Sequence, residues 1–126
     1  MNLILDTHAF VWAISQSRLL SKRAASLISD PNHRVWVSAV SAYEIEFKRQ
    51  RDAMLASLPT DLDEAVRLQD FEWLSVSHDH AVAAGRLPRL HGDPFDRLLA
   101  AQALCERASL VTRDPMVAAY GSVIAW

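Results

Sequence analysis

The chain has 126 residues, 51% of them apolar, and a net charge of −2, which fits one domain with a buried core and gives no basic footprint for a nucleic-acid partner. A domain of this size buries roughly two-thirds of its unfolded surface and needs no disulfide. The single cysteine, Cys105, cannot form an internal bridge, which suits a reducing cytoplasm. Met1 to Asp6 lacks the basic flank of a secretory leader, and no stretch approaches the roughly 20 apolar residues of a membrane span.

Asn2 to Leu5 is an apolar run that predicts a buried strand. Asp6-Thr7 caps a helix through Ile14, and Ser17 to Leu20 reads as a loop. Ser21 caps a second helix that Asp30-Pro31-Asn32 stops. Arg34 to Ser38 is a second strand, rich in β-branched and aromatic residues. A third helix is expected from about Ala39 to Asp52, ending in the basic run Lys48-Arg49-Gln50-Arg51. Arg51 to Pro59 is the least periodic segment and is expected to be mobile. Asp61 opens a helix reaching Gln69, Phe71 to Val76 is a strand, and Ser77 caps a short helix, His78 to Arg86. A largely apolar helix runs from Pro94 to about Ala108. Ser109 to Thr112 is a strand, Asp114-Pro115 starts a helical turn, and Ser122 to Ala125 is a last strand. Short apolar strands alternating with helices predict an α/β fold with a parallel sheet of about five strands, covered by helices on both faces.

Four acids fall at equivalent places in this pattern. Asp6 ends the first strand, Glu44 lies early in the third helix, Asp96 sits in the first turn of the apolar helix, and Asp114 follows the fourth strand. In an open α/β sheet these positions lie at the carboxyl edge, where ligands bind. Each acid taken singly has a plain explanation. Asp6 and Asp114 are helix or turn caps. Glu44 closes a capping box with Ser41 or pairs with Lys48. Asp93, followed by proline, is an N-cap, and Asp96 suits the helix dipole. The joint pattern asks for more, because two like charges about 5 Å apart repel by roughly 3 kcal/mol at an effective dielectric of 20. A converging quartet needs a proton or a cation, and an all-oxygen donor set selects a hard ion, Mg²⁺ or Mn²⁺. Such an ion keeps water and can promote attack on a phosphodiester.

Other residues complete the inventory. Thr7 and Thr112 adjoin the acids, can orient waters or carboxylates or cap helices or turns, and are candidates for substrate contacts. Lys48, Arg97 and Arg113 lie near the expected site and are candidates for contacts to a phosphate backbone, whereas Arg49 and Arg51 read as a solvated helix end. His78 and His80 stand two apart, which sends them to different helix faces and argues against a shared zinc. His91 reads as a loop histidine. Trp12, Trp36, Trp73 and Trp126 are widely spread and read as core or interface.

With these residues in place the chain resembles the PIN-domain ribonucleases, specifically the VapC-type toxins of bacterial toxin–antitoxin pairs. The matching stretches are Leu5-Asp6-Thr7-His8, Ser41-Ala42-Tyr43-Glu44-Ile45 with Lys48, His91-Gly92-Asp93-Pro94-Phe95-Asp96-Arg97 continuing through Ala103, and Val111-Thr112-Arg113-Asp114. Together they span almost the whole chain in the family's order, and the Asp-Pro-Phe-Asp-Arg segment is the most specific. Tyr43 stands where tryptophan is frequent and Val117 where phenylalanine is, neither within the quartet.

The resemblance implies a PIN-like three-layer domain over residues 1–126 and a Mg²⁺- or Mn²⁺-dependent endoribonuclease. Its acidic quartet is Asp6, Glu44, Asp96 and Asp114, with Asp93 the fallback for the third acid. It further implies an antitoxin that masks the site, and a homodimer. Two rivals are a phosphotransferase with Asp6 as nucleophile, disfavoured by His8 where a second acid is usual, and a non-catalytic module that binds RNA or a protein.

Overall fold

The computed structural model describes the chain apart from Leu90, His91, Ala119, Ser122 and Trp126. Five strands form one all-parallel sheet, β1 (Asn2–Leu5), β2 (Arg34–Ser38), β3 (Glu72–Leu74), β4 (Ser109–Thr112) and β5 (Val123–Ala125), in the order β3-β2-β1-β4-β5. The helices are α1 (Thr7–Ser15), α2 (Lys22–Ser29), α3 (Ala39–Lys48), α4 (Ala53–Ala56), α5 (Leu62–Leu68), α6 (His78–Arg86), α7 (Pro94–Glu106) and α8 (Pro115–Ala118). Ser17–Leu19, expected as loop, is a 3-10 turn.

The period-two alternation of the strands builds two cores. Leu3, Leu5, Val35, Val37 and Val111 pack with Phe10 and Val11 of α1 and with Ile45, Leu62 and Val66. Ile4, Trp36 and Leu110 point the other way, against Leu99, Ala100 and Ala103 of α7 with Val117 and Tyr120. Both faces of β1 are covered, which is why its run is continuously apolar. Trp36 is core, Trp12 and Trp73 pack at the margin of the first cluster, and Trp126 lies outside the described residues.

The third helix is shorter than its sequence pattern suggests. It ends at Lys48, and Asp52 instead caps a new helix, accepting from the Met54 and Leu55 N–H groups at 2.9 and 3.2 Å. The segment from Arg51 to Pro59 is therefore organised and pinned by buried Leu55 and Leu58, contrary to the expected mobility. Periodicity fails there because two short apolar anchors replace a continuous stripe. The strand expected over Phe71 to Val76 pairs only over Glu72–Leu74.

α6 and α7 are locked by side chains. Buried His80 closes the capping box with Ser77 and meets Glu106 through Nε2 at 2.9 Å, while exposed His78 lies beside Asp79. Arg97, expected among the substrate contacts, is engaged within the fold. Its guanidinium donates to the carbonyls of Ala84 (2.8 Å), Leu87 (3.0 Å) and Pro88 (3.0 Å) and to the Tyr120 hydroxyl (3.2 Å). Tyr120 in turn donates to the Pro88 carbonyl at 2.9 Å. The planar fork donates to carbonyls at and just past the end of α6, a pattern invisible to a scan for basic residues near acids. Arg97→Ala is expected to lower stability by about 2–3 kcal/mol in urea unfolding, and Arg97→Lys to recover little of it. Unchanged unfolding of both variants would contradict this structural role.

Candidate active site

β1 leads to β2 on one side, and β4 lies on its other side, so the strand order reverses at the β1/β4 boundary. Leu5 stands opposite Val37 and opposite Val111. The next residues, Asp6, Ser38 and Thr112, therefore emerge side by side at the carboxyl edge, and Asp6 N–H continues the ladder to the Val111 carbonyl at 3.0 Å.

Asp6 caps α1, its Oδ1 accepting the Ala9 N–H at 2.7 Å, as the sequence suggests. It is also only 7% exposed. Burial, opposed by hydrogen bonds from the Thr112 side chain and the Ala9 backbone and by His8, and reinforced by the charge of Asp96, raises its pKa to about 6 from 3.8. Thr112 also accepts the Asp114 N–H through Oγ1 at 3.1 Å, so one hydroxyl ties the ends of β1 and β4 together.

Glu44 projects from α3 and is buried. Ser38, not Ser41, caps that helix, its Oγ accepting the Val40 N–H at 3.0 Å. Glu44 is accordingly not in a capping box with Ser41. It accepts from the Thr7 hydroxyl at 2.6 Å and from Lys48 Nζ at 2.5 Å. Ser41 completes the link at 3.0 Å from Thr7 Oγ1. Ser41 was legible as a capping partner and as a member of a motif; its position one turn before Glu44 on the same helical face is what brings it to Thr7. The Lys48 ammonium is held in its charged form chiefly by the Glu44 hydrogen bond, helped by the charges of Glu44, Asp93 and Asp96.

Asp93 and Asp96 divide as their spacing implies. Asp93 caps α7, accepting the Phe95 and Asp96 N–H groups at 2.8 and 3.2 Å. Asp96 lies in the first turn, partly exposed, close enough to act on both Asp6 and Lys48. Asp114 is partly exposed just past β4. Arg113 is exposed and stacks its guanidinium on Trp12, 4.5 Å from the ring centroid. Arg49 pairs with Glu46 at 3.0 Å, and His91 lies outside the described residues.

The acids thus share one edge, with Asp6 coupled to Asp96, Glu44 linked through Thr7 and Lys48, and Asp114 through Thr112. Among the described residues no three carboxylate, imidazole or thiol side chains are gathered closely enough to hold a metal as they stand. The donor chemistry nevertheless fits a hard cation. A buried carboxylate whose pKa is raised to about 6, by desolvation first and also by a second acid, is the environment a positive charge relieves. Lys48 occupies that role toward Glu44.

A family model described as the PIN domain matches residues 3–122. The chain belongs to the PIN-domain family. This PIN domain is similar in fold to VapBC2 from Rickettsia felis, in a structure bound to a DNA fragment from their promoter, with 21% identity, a TM-score of 0.77, and coverage of 100% of this chain and 99% of that one. DNA-bound VapBC from Salmonella typhimurium matches at 15% identity and TM-score 0.69, covering 100% and 98%. VapBC-5 from Mycobacterium tuberculosis matches at 22% and 0.61, covering 99% and 98%. Among proteins of curated function, none matches the sequence significantly. Among the described residues no helix is long and apolar enough to cross a membrane.

The raised pKa of Asp6 has a stability consequence. Between about pH 4 and pH 6 the folded chain binds more protons at Asp6 than the unfolded chain, so stability falls as pH rises through that window. Asparagine keeps the cap and removes the charge. In chelator, Asp6→Asn is expected to be more stable than the wild type above pH 7, by on the order of 3 kcal/mol, with the difference vanishing by about pH 4. Urea unfolding across pH reads this out; a variant less stable at every pH would contradict it.

Proposed function

We propose that this PIN domain is a divalent-cation-dependent endoribonuclease that acts as the toxin of a toxin–antitoxin pair in the reducing cytoplasm. The observation that supports the proposal is that Asp6, Glu44, Asp96 and Asp114 belong to four separate elements along the carboxyl edge of the sheet, with Asp6 close enough to feel the charge of Asp96. Asp6, Asp96 and Asp114, with Glu44, are the residues that would hold Mg²⁺ or Mn²⁺. When bound, such a cation supplies a Lewis acid and charge neutralisation for phosphodiester hydrolysis.

The chain's own groups prepare the site. The Thr112 hydroxyl and the Ala9 N–H fix the Asp6 carboxylate, so its orientation is set before anything binds. The Thr7 hydroxyl fixes one oxygen of Glu44 and Lys48 neutralises the other. Asp93 sets the first turn of α7 and thereby the position of Asp96. Lys48 and Arg113, both exposed, are available to the phosphates of a polyanion. Thr7 and Thr112 act on the carboxylates, and substrate contacts by their hydroxyls remain part of the proposal. The whole of residues 1–126 works as one domain.

The VapBC neighbours support the toxin assignment: the Mycobacterium tuberculosis protein is named as a member of the VapBC family of toxin–antitoxin systems, and the other two carry the VapBC name. A cognate antitoxin masking the acidic edge and a homodimer complete the proposal.

With Mn²⁺ or Mg²⁺ the wild type is expected to cut single-stranded RNA, and Asp96→Asn to lose cleavage while folding at least as stably. Asp93→Ala is expected to lose about 0.5–2 kcal/mol through the missing cap yet still cut when folded. Sequencing the RNA ends from all three proteins checks this. Intact RNA with the wild type would favour a binding module, and an essential Asp93 with a dispensable Asp96 would reverse the assignment of the third acid.

A further inference from the structure

Beside the acids lies an aromatic surface that neither the fold nor the hydrolytic chemistry requires. Tyr43 and Phe47 stand one turn apart on the outer face of α3 and are 61% and 65% exposed. Their rings are nearly parallel, 15° apart, with centroids separated by 6.0 Å. Tyr43 leans on Phe95 at 5.8 Å, and Lys48 Nζ lies 5.8 Å from the Phe95 ring centroid. Leaving two large rings in water forgoes the gain of burying them, and the core gains nothing from their exposure.

Three features fix what fits there. The patch is continuous with the acidic edge, since Phe95 immediately precedes Asp96 and Lys48 also pairs with Glu44. A shallow groove of about 370 Å³ runs on from Phe47 past Lys48, Gln50, Arg51 and Asp52, and offers two cations against one acid. The rings are presented by a helix, so their orientation is set by the backbone and not by a loop.

We propose that Tyr43 and Phe47 form a stacking platform for unpaired bases of single-stranded RNA, with Lys48 and Arg51 following its phosphates. This rests on the nuclease reading above and specifies its substrate: an unstructured or looped strand whose bases are splayed out beside the carboxylates. Stacking on aromatic faces with cations along the backbone is the general way proteins hold single strands without reading their sequence. The requirement for a free base face excludes duplex RNA from this surface.

The test is binding of a short unstructured RNA carrying 2-aminopurine, followed by fluorescence in chelator, alongside the KM for its cleavage with Mn²⁺. Tyr43→Ala and Phe47→Ala are each expected to weaken binding about 5- to 150-fold and to raise KM in step. Tyr43→Phe and Phe47→Tyr are expected to retain binding, and Phe47→Leu, which keeps apolar area without a ring, to resemble alanine. Leu68→Ala, an exposed apolar residue at the end of α5, serves as the control.

Alanine variants that bind like the wild type would overturn the platform, and so would full rescue by leucine or a loss confined to binding of a protein partner. A wild type that cuts RNA while its alanine variants bind normally would sink the platform and leave the nuclease. Ring-dependent RNA binding without cleavage would do the opposite. Absence of RNA binding altogether would overturn the platform.

Discussion

The structure turns on one carboxylate placed where carboxylates are costly. Asp6 ends the central strand, between two parallel neighbours, and is almost removed from water. The Ala9 N–H and the Thr112 hydroxyl favour its ionised form, but burial outweighs them and Asp96 adds to the imbalance. A helix cap alone does not ask for that position, since a surface N-cap gives the same hydrogen bond without the desolvation. The surrounding arrangement follows from that placement. Hydroxyls stand at three neighbouring points, Thr7, Ser41 and Thr112, and the Lys48 ammonium pairs with Glu44.

At the start of α7 the cap falls to one acid and, in the function proposed, the chemistry to another. Asp93 spends its acceptor capacity on two backbone N–H groups. That leaves Asp96 to face Asp6 and Lys48 from a turn whose geometry is already fixed. Rigid placement of this kind is what a site for a small hard ion needs, because misplacement by an ångström is enough to lose it. The aromatic platform extends the same logic outward: Phe95, between the cap and the acid, is where α3 and α7 touch.

The sheet was legible because each inner strand is a short continuous apolar run bounded by a polar residue, a pattern that follows from burial on both faces. The caps Asp6, Ser21, Ser77 and Asp93 were legible because a polar acceptor before a periodic segment has few other uses. The end of α3 was not, since Lys48-Arg49-Gln50-Arg51 favours helix and only the tertiary anchors Leu55 and Leu58 decide where the chain turns. The engagement of Arg97 within the fold was not legible for a related reason. Its neighbours in sequence are acids, but its partners in space are carbonyls of α6 and its flank, 9–13 residues earlier. The placing of the four acids along one edge followed from topology, whereas the Thr7–Glu44–Lys48 linkage depends on side-chain directions that spacing does not encode. The exposure of Tyr43 and Phe47 was hidden because aromatic residues at helical spacing ordinarily mean core.

The central claim is that the acids at this switch point form one cation site built around Asp6. Calorimetric titration of Mn²⁺ into the wild type and into Asp6→Asn near neutral pH tests it most directly. The account predicts saturable binding to the wild type, and at least a tenfold loss of affinity in the variant despite its intact fold. A wild type that takes up no Mn²⁺, or a variant that binds it equally well, would contradict the account.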